Sequence, residues 1–145
     1  MRAVLQRVSA ARLLVDGALR AEIGQGLAVL LGVARTDDHA AAERLAHRVA
    51  SLRIFERDDG RLDRSLLEIG GEALVVSQFT LIADTHKGTR PSFSDAASPE
   101  QAEPLYEAFC TALAKAGVGV AGGVFGARMA VELTNDGPVT IVLDV

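Results

Sequence analysis

Two hydroxyl residues and a His-Asp pair lie close together in the middle of the sequence. Ser77 and Thr80 belong to the segment V-S-Q-F-T-L at 76–81, and Asp84 and His86 follow it. These residue types could form the nucleophile, base and orienting acid of a hydrolase triad. Ser77 is not in a G-x-S-x-G elbow, however, and no spacing rule brings His86 to either hydroxyl. Structural roles for the hydroxyls are the simpler interpretation, so no side-chain nucleophile stands out.

A second unusual segment is T-N-D-G-P-V-T at 134–140. Asn135, Asp136 and Gly137 tolerate the backbone angles of tight turns, so they would suffice for a β-turn. Pro138 then adds a fixed φ and removes a backbone N–H that a sheet could use. Either Pro138 merely starts an edge strand, or a stiff Gly-Pro backbone serves a purpose of its own.

Other candidate motifs lack the context that their chemistry requires. Gly117, Gly119 and Gly122 match G-x-G-x-x-G but follow a predicted helix, whereas a dinucleotide site opens one. They are interpreted as a helix stop and a flexible connector. His39 and His47, eight residues apart, point roughly 80° apart on a helix and form no recognisable zinc site.

The composition indicates an ordinary globular protein of the cytoplasm. The single cysteine, Cys110, excludes an internal disulfide, suits a reducing compartment and is expected to be a small core residue. Arg7 interrupts the apolar run that a signal peptide needs, and no segment approaches the roughly 20 apolar residues of a membrane span. The acidic run at 58–63 fits a polar hairpin better than a calcium loop.

Hydrophobic periodicity predicts the strands that position these segments. Asp-Gly pairs at 16–17 and 59–60 predict two hairpins. The predicted strands cover residues 2–8, 12–16, 18–23, 26–33 and 72–79, followed by two alternating strands that present Met129, Val131 and Leu133, and then Val139, Ile141, Leu143 and Val145.

Two helices interrupt the strands. The first begins near Asp37 and carries Leu45, Val49 and Leu52 on one face. The second begins with S-P-E-Q at 98–101, which predicts a capping box between Ser98 and Gln101. Its apolar stripe comprises Ala102, Leu105, Tyr106, Phe109 and Leu113, and Gly117 ends it. The pattern predicts one α+β domain, residues 1–145.

The segments V-S-Q-F-T-L and T-N-D-G-P-V-T resemble the two signature motifs, S-Q-x-T and N-x-G-P-[VT], of the D-aminoacyl-tRNA deacylases, the D-tyrosyl-tRNA(Tyr) deacylase family. Either motif alone is a weak signal, but both at this separation are specific. The similarity extends in order along the chain through Q-R-V at 6–8, G-L-A-V-L-L-G-V at 26–33, R-P-S-F at 90–93 and F-G-A-R-M at 125–129.

The resemblance implies a homodimer with a β-barrel-like sheet and two main helices packed outside. It implies an enzyme that hydrolyses the ester joining a D-amino acid, or glycine, to the 3′-terminal adenosine of tRNA and spares L-aminoacyl-tRNA. The expected role is chiral proofreading in translation. No metal or organic cofactor is expected.

The resemblance also assigns site residues. A Gly137–Pro138 cis peptide is expected to enter the partner subunit's pocket, and Arg7 to hold that loop. Phe125 and Met129 are expected to shape the adenosine end. The catalytic wall is the S-Q-F-T strand, which comprises Ser77, Gln78, Phe79 and Thr80.

The chemistry explains why a stiff backbone suits this task. An enzyme that accepts any D-residue must recognise the Cα, where an L side chain projects toward the place of the D-residue's hydrogen. A rigid Gly-Pro wall there rejects L-residues by clash and cannot exclude glycine. Backbone N–H groups near Phe79 and Thr80 can stabilise the oxyanion if the strand bulges or ends there. The substrate's 2′-hydroxyl could then activate water, with Thr80 as a nucleophile the competing mechanism.

The formal net charge of −4 conceals an asymmetry that bears on RNA binding. Residues 1–90 hold 13 Lys and Arg against 12 Asp and Glu, whereas the remainder holds 2 against 7. The first candidates for the tRNA backbone are Lys87 and Arg90, with Arg53, Arg61 and Arg64 next. A solvated surface is the alternative for each of them. Rival functions are a non-catalytic RNA-binding dimer and a hydrolase of small D-amino-acid esters or peptides.

Overall fold

A computed structural model describes residues 1–145 of the chain. Its main sheet is built around a long first strand. The sheet has the order β2-β1-β3-β6-β7, and β8 pairs with the other side of β1. β4 and β5 form a separate hairpin. The strands are β1 (Arg2–Val15), β2 (Ala18–Ile23), β3 (Gly26–Gly32), β4 (Arg53–Glu56), β5 (Leu62–Ser65), β6 (Glu72–Ser77), β7 (Gly119–Gly122) and β8 (Met129–Asp144); the helices are α1 (His39–Ser51) and α2 (Pro99–Ala116).

The sheet is barrel-like because β2, at one end of this order, also approaches β6 and β7 at the other. Its two faces carry separate apolar clusters. The larger includes residues from both helices, which pack against each other. The predicted α+β, barrel-like fold with two helices is therefore confirmed. No helix combines the length and apolar character needed to cross a membrane.

The two strands expected at 2–8 and 12–16 are a single strand, so that prediction was wrong. β1 pairs along its whole length with β8, while its other side pairs first with β3 and then with β2. A register shift between Val8 and Ala10 is accommodated inside the strand as a bulge. The hairpin at Asp16-Gly17 is confirmed, with φ values of 50° and 77°.

β8 corrects the expected arrangement of the last two strands. They form one continuous strand that pairs with β1. The pairing is interrupted at residues 136–139, which lie opposite the single residue Arg7 of β1. The interruption reverses the face that is buried: Val131 packs against the smaller cluster, and Ile141 packs against the larger one. The segment is an excursion from a continuous strand and not a hairpin turn.

Both helices form as predicted, with local corrections at their first residues. α1 begins one residue later than expected because Asp38, not Asp37, accepts the capping bond from the Ala41 N–H at 2.8 Å. Gly117, with φ of 105°, ends α2. The capping box at its start was wrong, because Ser98 makes no side-chain cap bond.

Two further boundaries differ from the sequence expectations. The strand expected at 72–79 ends at Ser77, and Phe79–Ile82 form a 3₁₀ turn. The connector expected after Gly117 includes β7, which pairs in parallel with β6. The hairpin at 59–60 is confirmed as the connection between β4 and β5.

Candidate active site

A cleft of about 570 Å³ opens where β6 ends. Its lining is mainly apolar and comes from β6, the segments before α2, and the start of β8. The lining residues are Val33, Val76, Ser77, Gln78, Phe79, Phe93, Ala96, Ala97, Pro99, Ala102, Phe125, Gly126, Ala127, Met129 and Val131. A cleft of this size and polarity is typical of a site for a small organic group.

The structure brings together five residues that the sequence analysis selected, and they are Ser77, Gln78, Phe79, Phe125 and Met129. Thr80 follows them but does not line the cleft. Sequence reasoning gave no role to Phe93 or to Ala96 and Ala97. The only sequence signal for this wall is R-P-S-F at 90–93, a part of the resemblance that includes Phe93.

The end of β6 is shaped by close packing on β3. The Gln78 N–H donates to the Leu31 carbonyl at 2.8 Å, and the chain then turns into the 3₁₀ segment. A Cβ at Gly32 would lie 2.9 Å from the Leu81 Cβ and 3.1 Å from the Gln78 oxygen, so only glycine allows this approach. The first N–H groups of a helical turn have no partner within the turn, which leaves those of Phe79 and Thr80 without one there.

The Thr80 hydroxyl is connected to Gln78 and not to a base. Gln78 Nε2 donates to Thr80 Oγ1 at 2.5 Å. Farther along, His86 Nδ1 and Asp84 Oδ1 are 2.6 Å apart on the surface. The pKa of Asp84 is lowered because its carboxylate accepts hydrogen bonds from the His86 backbone N–H and ring. No hydrogen bond joins this pair to Ser77 or Thr80, so the structure assembles no triad.

Tyr106 supports the opposite wall from behind. Its hydroxyl donates to the Val75 carbonyl at 2.9 Å, and its ring centroid lies 6.2 Å from that of Phe125. Burial raises the pKa of Tyr106, so the phenol remains a donor. Burial likewise raises the pKa of the neighbouring Cys110 thiol to about 11. Cys110 was expected to be a core residue, but it is only half-buried and packs against the larger cluster.

The Gly-Pro segment lies apart from the cleft of its own chain. The Gly137–Pro138 peptide bond is cis, as the resemblance implies, and both residues are exposed. Arg7 lies beneath them with 5% of its surface exposed. Its Nε donates to the Asp136 carbonyl at 2.8 Å and its Nη1 to the Ile54 carbonyl at 3.0 Å. Buried donors thus anchor the base of an exposed loop.

Two of the candidate RNA contacts lie in the loop that precedes Phe93 of the cleft, and they have no acidic partners. Lys87 and Arg90 are exposed in a loop that is closed by two backbone hydrogen bonds between Asp84 and Ser92, of 2.8 and 2.9 Å. Neither cation forms a salt bridge. Phe93, the residue that follows Ser92, lines the cleft.

The other three cations are engaged in the β4–β5 hairpin. Arg53 pairs with Asp63 at 2.9 Å and Arg61 approaches Asp59 at 3.8 Å. Arg64 donates to a backbone carbonyl. Hydrogen bonds from two arginines lower the pKa of Asp63. The chain nowhere groups three or more His, Cys, Asp or Glu side chains in a way that could hold a metal ion.

Comparisons with known proteins agree with the two motifs. The family model described as D-Tyr-tRNA(Tyr) deacylase matches residues 4–144. A protein of Roseiflexus castenholzii named D-aminoacyl-tRNA deacylase is 62% identical over 99% of this chain and 92% of its own length.

Two solved structures share the fold. One, named c-Myc DNA Unwinding Element Binding Protein, has a TM-score of 0.95 and 40% identity over 100% of this chain and 99% of its own. The other, described as a probable eukaryotic D-amino acid tRNA deacylase, has a TM-score of 0.83 and 20% identity over 99% of this chain and 98% of its own.

Proposed function

Since this chain belongs to the D-Tyr-tRNA(Tyr) deacylase family, we propose that it is a hydrolase that cleaves the ester bond of D-aminoacyl-tRNA. The products are the free D-amino acid and tRNA, and removal of the D-residue before translation constitutes chiral proofreading. The observation that carries this proposal is the apolar cleft at the end of β6, where the S-Q-F-T and F-G-A-R-M segments meet. Its volume of about 570 Å³ suits an aminoacyl-adenosine end.

Chirality is selected by Gly137 and Pro138 of a second copy. Two observations support an action in trans: the loop is exposed and it does not line the cleft of its own chain. Inserted beside the partner's Cα-binding position, the loop excludes an L side chain and accepts the hydrogen of a D-residue or of glycine. Arg7 keeps the base of the loop in place. The active unit is accordingly a homodimer with its sites at the interface.

Hydrolysis relies on backbone donors. The N–H groups of Phe79 and Thr80, at the start of the 3₁₀ turn, stabilise the oxyanion of the tetrahedral intermediate. Ser77 and Gln78 complete this wall, while Phe125 and Met129 contact the adenosine. The neighbouring 2′-hydroxyl of the substrate activates the attacking water, which agrees with the isolation of Thr80 from His86.

The remaining affinity comes from the tRNA backbone. Lys87 and Arg90 are the preferred contacts, because they are free of salt bridges and their loop leads directly to the cleft. Arg53 and Arg61 already face carboxylates, so they rank lower. Binding through these cations weakens as the salt concentration rises.

Matched substrates test the proposed function. We expect release of the amino acid from D-aminoacyl-tRNA and glycyl-tRNA, and none above background from L-aminoacyl-tRNA or a small D-amino-acid ester. The measurement is the rate of ester cleavage at constant ionic strength. Binding of tRNA without cleavage would instead identify a non-catalytic RNA-binding dimer, and cleavage of the small ester would identify the second rival.

A change of Thr80 separates the two hydrolytic mechanisms. Thr80→Ala is expected to retain most of the deacylation rate, because the backbone N–H persists and the hydroxyl only accepts a bond from Gln78. Single-turnover cleavage of D-aminoacyl-tRNA measures this, with Thr80→Ser as the control that keeps a hydroxyl. A loss of several orders of magnitude in the alanine variant alone, with normal tRNA binding, would establish Thr80 as the nucleophile.

A further inference from the structure

Two exposed phenylalanines mark the mouth of the cleft. Phe79 is 55% exposed and Phe93 is 38% exposed, although both are large apolar side chains. Their rings form an edge-to-face pair with centroids 5.1 Å apart. This geometry holds each ring against the other and leaves ring surface open to solvent.

The two rings come from separate segments that are each held in place. Phe79 begins the 3₁₀ turn that packs against Gly32. Phe93 follows the Asp84–Ser92 backbone pairing, which closes the loop that carries Lys87 and Arg90. A fixed aromatic surface therefore directly follows, along the chain, a loop with two cations that have no acidic partners.

We propose that Phe79 and Phe93 form a stacking platform for the unpaired nucleotides that precede the terminal adenosine at the 3′ end of tRNA. This inference rests on the proposed function, which gives the terminal adenosine to the less exposed Phe125 and Met129. Proteins bind single strands through aromatic rings that stack on bases and through adjacent cations that contact phosphates. The platform and the Lys87–Arg90 loop combine these two features at the place where the strand must enter.

The rings of the platform have a different role from the Phe79 backbone N–H, which faces the ester. Phe79 and Phe93 both line the cleft and remain substantially exposed, so their outward surfaces can contact nucleotides that lie outside it. Stacking does not depend on base identity, because every base has a π-face. The platform accordingly recognises single-stranded RNA next to the ester and contributes to affinity without selecting particular tRNAs.

Substrates of two lengths test the platform. We compare Phe93→Ala with the wild type on D-aminoacyl-tRNA and on 3′-O-D-aminoacyl-adenosine, which has no preceding nucleotides. The expected result is a rise in KM of roughly five- to hundredfold for the tRNA substrate, the range of one lost base–aromatic stack, and a much smaller rise for the adenosine ester. Phe93→Tyr, which keeps the ring, is expected to restore the KM for tRNA.

A binding measurement keeps the platform testable apart from hydrolysis. Titration of uncharged tRNA, intact or trimmed of its unpaired 3′ nucleotides, is expected to show weaker binding to Phe93→Ala only for the intact form. This readout remains informative if the wild type cleaves no ester and the proposed function fails. Equal binding of intact tRNA by variant and wild type would overturn the platform.

Two other outcomes would also overturn it. Equal losses of kcat/KM on the long and short substrates would mean that Phe93 only shapes the cleft. Weaker self-association of Phe93→Ala in sedimentation, with unchanged binding of intact tRNA, would mean that a second copy of the chain covers the rings.

Discussion

Replacement of Gly137 by alanine is expected to lower the deacylation rate for D-aminoacyl-tRNA about a hundredfold, since a displacement of about 1 Å near a reacting centre has effects of that size. Gly137 has φ of 146°, a conformation that L side chains rarely adopt. An added Cβ would lie 2.9 Å from the Val139 nitrogen and 3.2 Å from Arg7 Nη2. The loop must move to relieve these contacts, and Arg7 is buried and hydrogen-bonded, so it cannot yield freely.

The rate is measured by single-turnover ester cleavage on D- and L-aminoacyl-tRNA. We expect the ratio of the two rates to fall as well, because a displaced wall excludes L-residues less effectively. Gly17→Ala is the matched control: Gly17 also has positive φ, 77°, but a Cβ there meets nothing within 4 Å. Both variants carry backbone strain of about 1–3 kcal/mol. Only in Gly137→Ala does the new Cβ also meet close neighbours that displace the loop, so only this variant should lose activity. Wild-type rates and selectivity in Gly137→Ala would contradict the proposal that the Gly-Pro loop selects chirality.

Replacement of Arg7 by methionine is expected to lower the free energy of unfolding by about 2–4 kcal/mol, because the buried Ile54 carbonyl and the part-buried Asp136 carbonyl lose their donor. The guanidinium donates to the Asp136 and Ile54 carbonyls and lies 3.4 Å from Glu56 Oε1. Methionine retains much of the side-chain volume and none of the donors. The base of the Gly-Pro loop is then free to move, so deacylation is expected to fall about a hundredfold as well.

Urea denaturation and single-turnover kinetics measure the two effects of the Arg7 substitution. Arg12→Met is the matched control, because Arg12 is also on β1 and also pairs with a β8 residue, the exposed Glu132. An exposed pair of this kind contributes at most about 1 kcal/mol. If Arg7→Met unfolds at the same urea concentration as Arg12→Met, Arg7 does not anchor the loop.

Much of the secondary structure could be predicted because its signals are local. The Asp16-Gly17 hairpin follows from two residues that tolerate positive φ, and the end of α2 at Gly117 follows from the left-handed cap that glycine permits. The apolar run at 26–33 is typical of a strand buried on both faces, and β3 is such a strand. In each case the determining interaction lies within a few residues along the chain.

The continuity of β8 could not be predicted from the sequence, because it depends on pairing with a strand that is far away along the chain. Residues 134–138 contain an acceptable turn signal, and the sequence does not say whether the chain reverses there. Both flanking halves pair with β1, and this long-range pairing converts the turn into an excursion. The start of α1 was misplaced because Asp37 and Asp38 are both acceptable caps. Asp37 is engaged by the amino group of Met1, which is distant in the chain, and by the Ala34 N–H, so Asp38 is the cap.

The sequence by itself determined the family, the fold class and two of the segments that line the candidate site, S-Q-F-T and F-G-A-R-M. Two short motifs and a run of local backbone preferences were sufficient, because each depends on neighbouring residues. Only the tertiary structure showed that Phe93 joins Phe79 at the cleft mouth, and that the contacts of Arg7 beneath the Gly-Pro loop are with the Ile54 and Asp136 carbonyls. These contacts join residues far apart in the chain, and their geometry follows from strand pairing and close packing, which no local pattern encodes.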